Sequence, residues 1–400
     1  MIIGLIGKAN VGKSTFFNAA TELAVPAANY PFTTIKPNVG VAYSRVKCVC
    51  REFGVQDNPI HSICIDGNRF IPVKLIDIAG LVPGAHAGKG LGNKFLDDAR
   101  QADALIHVVD ASGSTDSNGR TVPTGTGNPM SDIEFVEGEF DLWLASLISK
   151  DWSKNAREAE GQGQKLEQML AKRLSGLAIT EQQIAAAIHA TDLALKKPVN
   201  WTEQDIQAFC KILRIKSKPF VIAANKADLQ SAEDNIEKMK AGGLTVVPCA
   251  SEAEALLRKA SKKGVLHYLP GDSSFDVKPN VQLNAQQQKA LEIVKMLMQK
   301  YGSTGIQEVI NIACFRLLNM VAVYPVEDEF KLTDKKGNVL PDVRLLPEGS
   351  TAKDLAGTVH ADLAKGFLYA IDVRSKQRIG ADHKLKSGDV IKIVSATSRG

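Results

Sequence analysis

Residues 7–14 of the chain read GKANVGKS, and their types and spacing are suited to binding a polyphosphate. They match the pattern G-x-x-x-x-G-K-[ST] in full. In such a loop the backbone N–H groups surround the phosphates, the lysine contacts the β- and γ-phosphates, and the hydroxyl binds Mg²⁺. The sequence therefore predicts a nucleotide site built from Gly7, Lys8, Ala9, Asn10, Val11, Gly12, Lys13, Ser14 and Thr15, with Lys13 as a catalytic residue and Ser14 as a metal ligand.

The tetrapeptide NKAD, residues 225–228, indicates which base is bound. The Asp228 carboxylate can accept hydrogen bonds from the N1–H and 2-amino groups of guanine, and adenine offers neither donor. A site whose carboxylate would stay unpaired rejects the wrong base strongly. Asn225 and Lys226 complete the predicted base contacts, with the Lys226 stem along the base plane. In PCAS, the backbone amides of Ala250 and Ser251 are expected to reach guanine O6, although the usual Ser-Ala order is reversed.

Two further segments are predicted to contact the metal ion and the γ-phosphate. Asp77, in DIAG, suits an outer contact to Mg²⁺, and the Gly80 amide is expected to bond the γ-phosphate. The segment PFTTIKPNVG supplies Thr34 as a second metal ligand when the triphosphate is bound. The position after Gly80 raises a question. GTPases of the Ras type carry a water-orienting glutamine there, whereas this chain has Leu81. Either the chain does not hydrolyse nucleotide, or it positions the water by other means.

These residues need a parallel sheet to bring them together. Short apolar strands are predicted at 2–6, 73–78, 104–109 and 220–224, with a helix from Thr15 onward. Strands that alternate with helical segments indicate an α/β fold of the P-loop NTPase type, a mostly parallel sheet with helices on both faces. Nucleotide then binds at the carboxyl ends of the strands.

The rest of the chain is predicted to form two further domains. Residues 112–129 read as a mobile Gly, Ser and Thr loop. Helical patterns follow, with capping boxes at Thr180/Gln183 and Thr202/Asp205. Beyond residue 320 short strands around one helix, near 351–364, suggest a β-grasp module. The predicted domains are a G domain at 1–130 and 216–318, an inserted helical domain at 131–215, and a C-terminal domain at 319–400.

Composition and charge limit the partners. The 400 residues carry a net charge of +5 and are 44% hydrophobic, which is typical of a multidomain globular chain. No stretch approaches the length of a membrane span, so we expect a cytoplasmic protein with no membrane contact. Residues 374–400 hold seven basic and two acidic side chains. Such a basic cluster can bind the phosphates of RNA. The alternative is that these side chains form a solvent-exposed surface without a partner.

Three cysteines and a histidine lie close together in sequence, at Cys48, Cys50, His61 and Cys64. Thiolate and imidazole are zinc ligands, so a metal site is one interpretation, although the spacing is not that of a standard zinc finger. The other is that Cys48 and Cys50 lie on one face of a strand as small buried apolar groups.

Six segments carry a resemblance to a known family: GKANVGKS, NYPFTTIKPNVG, DIAGLVPGAHAGKGLGNKFLDD, DALIHVVDASGSTD, NKAD and GDVIKIVSA. Together they resemble GTPases of the Obg family, and in particular the YchF-related GTPases of archaeal type. The resemblance covers nearly the whole chain and implies a G domain, an inserted helical domain and a C-terminal TGS domain that contacts RNA or the ribosome. ATP-preferring members are similar but carry glutamate in the fourth motif, so Asp228 favours GTP.

The resemblance also bears on Leu81, because such GTPases carry a hydrophobic residue in place of the glutamine. Asn10 matches the position that supports a potassium ion in related families, and such a cation would neutralise developing charge. His86 is a second candidate for orienting the water; otherwise it is an exposed residue without chemistry. We therefore expect a monomeric GTPase with GTP or GDP, Mg²⁺ and K⁺ as ligands, acting as a switch on a ribosomal or RNA partner. The alternatives are an ATPase with relaxed base choice and a nucleotide-gated binding module with negligible hydrolysis.

Overall fold

The structure, a computed structural model, describes residues 1–22, 38–78, 98–161, 163–177 and 179–396. The predictions made for Thr34, Gly80, Leu81 and His86 lie outside these residues. The chain forms two compact units. The first holds the described parts of Met1–Glu22, Pro37–Gly40 and Lys74–Val309, and the second those of Val41–Val73 and Ile310–Gly400. The domain boundaries predicted from the sequence stay a prediction.

A seven-stranded sheet carries the predicted nucleotide site. Its order is β2-β4-β1-β5-β6-β7, with β3 beside β4. The pairs from β4 through β1, β5 and β6 to β7 are all parallel, which confirms the predicted sheet. The strands are β1 Ile2–Ile6, β2 Val39–Lys47, β3 Ile63–Ile65, β4 Asn68–Asp77, β5 Ala104–Asp110, β6 Phe220–Asn225 and β7 Val246–Pro248. Strand β4 begins five residues before the predicted start, because its first residues form a hairpin with β3.

Strand register explains why residues far apart in sequence meet. Leu5 pairs with Asp77, and Asp110 pairs with Asn225. Since the strands are parallel, their carboxyl ends lie at one edge of the sheet. Asp77, Asp110 and Asn225 are the last residues of β4, β5 and β6. The edge therefore collects polar side chains from three strands beside the loop that follows β1.

Ten helices described in the structure and a small hairpin accompany this sheet. The helices are α1 Lys13–Thr21, α2 Pro129–Ser149, α3 Trp152–Gly161, α4 Leu166–Arg173, α5 Glu181–His189, α6 Glu203–Ser217, α7 Ala232–Ala241, α8 Ser251–Lys262, α9 Ala285–Tyr301 and α10 Ile306–Asn311, and the hairpin is β8 Leu266–His267 with β9 Asp276–Val277. Helices α2 to α6 share one apolar cluster with the sheet, in which Phe140 meets Phe220 edge-on at 6.1 Å. None of the described helices is both long and apolar enough to span a bilayer.

Both predicted capping boxes are confirmed. The Gln183 N–H donates to Thr180 Oγ1 at 3.2 Å, and the Thr180 N–H donates back to Gln183 Oε1 at 3.0 Å. Thr202 and Asp205 form the same reciprocal pair at the start of α6. Aspartate can take the place of the usual Glu or Gln because its carboxylate accepts a hydrogen bond from the Thr202 backbone N–H.

The second unit contains a five-stranded sheet in the order β11-β10-β14-β12-β13. Its strands and helices are β10 Met320–Val326, β11 Arg344–Pro347, α11 Ala352–Val359, α12 Ala361–Lys365, β12 Phe367–Asp372, β13 Gln377–Ile379 and β14 Val390–Ser395. The single helix predicted near 351–364 is divided in two because His360 adopts an extended backbone, with φ −160 and ψ 140. That residue caps α12 with its own ring, since Nδ1 accepts the Asp362 N–H.

Candidate functional site: a phosphate loop and a base-recognition strand end

The loop between β1 and α1 has a backbone that only glycine permits at two positions. Gly7 has φ +147, and a Cβ there would lie 2.4 Å from the Val108 carbonyl oxygen. Gly12 has φ +93 and caps α1. The helix begins at Lys13, two residues before the predicted Thr15. The first-turn amides of α1 have no intrahelical acceptor and are available to an anion at this end.

Asn225 joins this loop to the start of α8. Its Nδ2 donates to the Val11 carbonyl at 2.9 Å, and its Oδ1 accepts from the N–H and the Oγ of Ser251 at 3.1 and 2.8 Å. A Cβ on Gly12 would lie 2.2 Å from the same Nδ2. Asn225 is therefore a tether that sets the distance between the phosphate loop and the base-recognition residues.

The two amides predicted to reach guanine O6 already have partners. The Ser251 N–H donates to Asn225, and the Ala250 N–H donates to the Thr304 carbonyl at 3.0 Å. The next amides, of Glu252 and Ala253, lie in the first turn of α8, where no intrahelical acceptor exists. Unlike the amides of Ala250 and Ser251, these are expected to be open to a ligand.

Lys226 and Asp228 take different positions after β6. The Lys226 ammonium donates to Asp110 Oδ2 and to Ser114 Oγ, both at 2.9 Å. It also donates to the Asn10 carbonyl of the phosphate loop at 3.4 Å, so the side chain is fixed beside that loop. Burial opposes the charge of Asp110, but hydrogen bonds from Ser112, Lys226 and Ser114 together lower its pKa. Asp228 is exposed, and its carboxylate has no partner among the described residues. It is the one acid at this strand end that is open to a ligand.

Residues 112–129, which the sequence predicts to be mobile, are hydrogen-bonded to the phosphate loop. The Lys8 ammonium is buried, with Asp132 Oδ2 at 2.7 Å and the Asp116 carbonyl at 2.6 Å. Asn10 Nδ2 donates to the Gly119 carbonyl at 2.8 Å. The Lys8 side chain is thus paired with other residues of the protein. Only its backbone N–H remains for the predicted phosphate contact. The amide oxygen of Asn10 is the atom that could bind a cation.

The residues present fit a magnesium ion. Ser14 Oγ donates to Asp77 Oδ2 at 3.2 Å, while Asp77 Oδ1 is buried without a hydrogen-bond partner in the described structure. A buried, unpaired carboxylate oxygen is costly unless a water or cation satisfies it. Burial raises the pKa of Asp77, and Lys13 and Ser14 act against that change. Burial also lowers the pKa of Lys13, with Asp77 acting in the opposite sense.

A buried acid and base hold α8 against α1. Arg258 Nε donates to Glu254 Oε1 at 2.5 Å, and its Nη1 donates to the Ala20 and Glu22 carbonyls at 3.3 and 3.1 Å. Tyr268 adds a hydroxyl donor to Glu254 at 2.6 Å. Because helix C-termini leave carbonyls unsatisfied, Arg258 closes the end of α1. The contacts above therefore connect the elements that carry most of the described site residues, among them Asn10, Lys13, Ser14, Asp77, Asn225 and Asp228.

Comparison with known proteins agrees with this geometry. A relative from Methanocaldococcus jannaschii, "Uncharacterized GTP-binding protein MJ1332", is 51% identical over 397 residues, 99% of each chain. The chain belongs to the Obg-like, YchF-related family of GTP-binding proteins. Three family descriptions match it: "50S ribosome-binding GTPase" at residues 2–128, "Obg-like GTPase YGR210-like, G4 motif-containing domain" at 223–328, and "TGS domain" at 332–395.

Other members of this family extend the comparison. The crystal structure of a GTP-binding protein from Pyrococcus horikoshii OT3 superposes with a TM-score of 0.78 at 40% identity, covering 99% of this chain and 100% of the other. The "Ribosome-binding ATPase YchF" of Bacillus subtilis is 27% identical, covering 92% of this chain and 87% of its own. The predicted family and fold are therefore confirmed, with the P-loop domain and the C-terminal TGS domain. The comparisons also support guanine-nucleotide binding by this chain.

Replacing Asn225 by Ala should destabilise the protein and weaken nucleotide binding together. The change leaves the Val11 carbonyl and the Ser251 donors without their buried partner, at a cost of about 2–3 kcal/mol. We expect urea denaturation of the nucleotide-free protein to show this loss, and a fluorescent GDP analogue to show weaker binding. Asn235→Ala is the matched control. It removes hydrogen bonds to the Ala111 carbonyl, at 2.9 Å, and to the Ser231 carbonyl, at 3.4 Å, outside the site. Unchanged nucleotide affinity in Asn225→Ala would contradict the tether.

Proposed function

We propose that the chain binds GTP with Mg²⁺, hydrolyses it to GDP and phosphate, and acts as a translation-associated switch that contacts the ribosome or RNA. The observation that carries the proposal is the open Asp228 carboxylate beside the tethered Asn225. The neighbouring acid Asp110 is already paired with Lys226. A carboxylate in that position recognises a base with two adjacent donors, which guanine has and adenine lacks. This supports GTP even though some relatives are named ATPases.

The phosphate end of the pocket supports hydrolysis. Lys13 would contact the β- and γ-phosphate oxygens, and the loop amides would bind the remaining oxygens. Ser14 and Asp77 would hold Mg²⁺, which supplies neutralisation of phosphate charge when it is bound. Thr34 is the proposed second ligand, and the Gly80 amide the proposed γ-phosphate donor. Leu81 cannot orient water, so in this proposal a potassium ion at Asn10 provides the missing charge stabilisation, with His86 as the other candidate.

The potassium proposal predicts a cation-dependent rate. We expect GTP hydrolysis at least about 10-fold faster in potassium than in sodium buffer, because one preorganised charge contact is worth about this or more. Asn10→Asp keeps a side-chain oxygen but removes the donor to Gly119, so it should keep the potassium response. Asn10→Ala should lose the response. Asn10 has φ +60, which Asn and Asp tolerate better than Ala, so rates are compared only between the two salts for each variant.

Equal rates in the two salts for the wild type would remove the potassium ion from the proposal. A potassium response that survives in Asn10→Ala would instead place the cation elsewhere. Single-turnover hydrolysis of GTP and ATP with the same preparations separates the GTPase from the two alternatives. Faster ATP turnover supports the relaxed ATPase, and no turnover of either nucleotide supports a binding module.

The contact with the ribosome or RNA is proposed from the TGS domain and from a relative's name. The relative from Bacillus subtilis is called ribosome-binding. The basic C-terminal cluster contributes less charge than its count suggests, because Arg374 pairs with Glu52 and Lys392 with Glu329. Among the described residues Lys376, Arg378, Lys384 and Lys386 remain exposed, and they could contact phosphates. Arg378 lies over the Tyr369 ring at 4.5 Å, which leaves few open aromatic rings for base-specific reading.

Co-sedimentation with ribosomes tests this contact. Each phosphate contact releases counterions, so binding should fall steeply between low and high salt. It should also differ between the GTP-bound and GDP-bound protein if the chain is a switch. Binding that ignores both salt and nucleotide would leave a GTPase without the proposed partner.

A further inference from the structure

Four side chains of the second unit bring their ligand atoms within 4.8 Å of one another: Cys48, Cys50, Asp57 and Cys64. They come from three segments. Cys48 and Cys50 lie in the turn that follows β2, Asp57 lies in the next loop, and Cys64 is the central residue of β3. The strand position given to Cys48 and Cys50 by the alternative interpretation is wrong, because β2 ends at Lys47, whereas their predicted burial is confirmed.

His61, which the sequence offered as a fourth ligand, is not in the cluster. Its Nδ1 lies 2.6 Å from Asp342 Oδ1, so the ring is engaged with another residue. Asp57 takes its place. Its Oδ2 accepts from Cys48 Sγ at 3.1 Å, which brings an oxygen ligand to the three sulfurs. The donor set is therefore three thiols and one carboxylate.

The separation of two of the sulfurs matches a tetrahedral site. With Zn–S bonds near 2.3 Å, two thiolates on a tetrahedral ion stand roughly 3.8 Å apart. The Sγ atoms of Cys50 and Cys64 are 3.8 Å apart. A disulfide would require these sulfurs at about 2.05 Å. The arrangement thus has room for an ion between the sulfurs.

The cluster is largely shielded from solvent, with Cys48 and Cys50 buried and Asp57 and Cys64 partly buried. Cys48 and Cys50 are each 4% exposed, and the Asp57 side chain is 8% exposed. The cysteines pack in one apolar cluster with Val49, Ile71 and other residues of the second unit. Catalytic zinc sites keep a position open to water, whereas structural sites are four-coordinate and closed. The burial therefore indicates a structural role.

Arg69 supports the carboxylate ligand from outside. It pairs with Cys64 across the β3–β4 hairpin and is fully buried. Its Nη2 donates to Asp57 Oδ2 at 2.6 Å, and its Nη1 donates to Ser62 Oγ at 2.9 Å. Outer hydrogen bonds of this kind orient a ligand and offset charge around an ion. An Arg69–Asp57 ion pair alone would account for the buried acid, but it does not require three thiols around that acid.

We propose that Cys48, Cys50, Cys64 and Asp57 bind one structural Zn²⁺ ion. The ion joins the turn after β2 to the β3–β4 hairpin within the second unit. Because its ligands are separated in sequence and come together only in the fold, zinc binding adds to the folding free energy of this unit. The proposal is independent of the nucleotide site and of the activity proposed above.

The direct test is metal content. The full-length protein, purified from zinc-supplemented cells and dialysed, should carry close to one zinc per chain by mass spectrometry of the metal. Cys50→Ser and Cys64→Ser should lose it. Cys210→Ser and Cys314→Ser, which change buried cysteines outside the cluster, should keep it. Cobalt in place of zinc should give thiolate charge-transfer absorption that decreases with each cluster cysteine removed.

Because the cluster variants could fail to fold, the wild type provides a second readout. A strong chelator should lower its thermal midpoint, and added zinc should restore it. Dialysed wild type without zinc, or full zinc retention in Cys64→Ser, would overturn the proposal. So would a disulfide, seen as two fewer reactive thiols in the denatured, unreduced protein than the six cysteines of the sequence.

Discussion

Asp228→Asn should weaken GTP binding by at least about 100-fold, since two hydrogen bonds to a charged acceptor are worth roughly 3 kcal/mol or more. The variant should gain affinity for xanthosine triphosphate. Xanthine keeps the N1–H donor but has a carbonyl at C2, and an asparagine amide can accept from the first and donate to the second. Titration of each variant with fluorescent analogues of both nucleotides measures the exchange of preference.

Asp234→Asn is the matched control for this exchange. Asp234 is an exposed aspartate of the same unit in the first turn of α7, and its loss should leave both affinities unchanged. Stability of Asp228→Asn should also match the wild type, because the exposed carboxylate has no partner among the described residues. If Asp228→Asn binds GTP as tightly as the wild type, base recognition lies elsewhere and the proposed function fails with it.

Lys13→Met should reduce nucleotide affinity and GTP turnover by about 100-fold or more, because a charge contact to the reacting phosphate is removed. The nucleotide-free protein should lose little stability. Burial already disfavours the Lys13 ammonium, as its lowered pKa indicates. Isothermal titration with GDP and a thermal melt without nucleotide measure the two effects separately.

Lys8→Met, a change in the same loop, should give the opposite pattern. It leaves Asp132 buried without its cation, and breaking such a pair costs about 3–5 kcal/mol. Burial raises the pKa of Asp132 even with Lys8 present. A raised folded-state pKa favours the protonated acid, so the deficit should be full at neutral pH and shrink as the pH falls. A pH-independent deficit, or a larger loss of affinity than in Lys13→Met, would contradict these assignments.

Local patterns predicted the elements of the fold well. The phosphate loop, the parallel strands and both capping boxes follow from short-range spacing, and the structure agrees with each. The misses are equally specific. The helix predicted near 351–364 is divided because His360 is extended, and no sequence rule marks that residue as a helix end. The loop at 112–129 looked mobile by composition, yet two of its carbonyls accept hydrogen bonds from Lys8 and Asn10, more than a hundred positions away.

Some residues of the candidate site could be predicted from the sequence and others could not. The sequence selected Asp228 and Lys13, because their chemistry is fixed by residue type and by their place after a strand or a glycine turn. It could not assign Ala250 and Ser251, whose amides turn out to be used by Thr304 and Asn225. It also offered His61 as the fourth ligand of the cysteine cluster and missed Asp57, because spacing along the chain does not show which side chain turns toward the thiols.

By itself the sequence determined the family, the nucleotide-binding motifs and the order of the elements. Motifs of a few residues fix the local backbone conformation and the types of hydrogen-bond donor that the chain carries. Only the tertiary structure decided which donors remain available. Lys8 meets Asp132 across 124 positions, and Asn225 meets Val11 across 214. Such pairs form only when strand register brings distant residues to one sheet edge, and local spacing carries no information about that register.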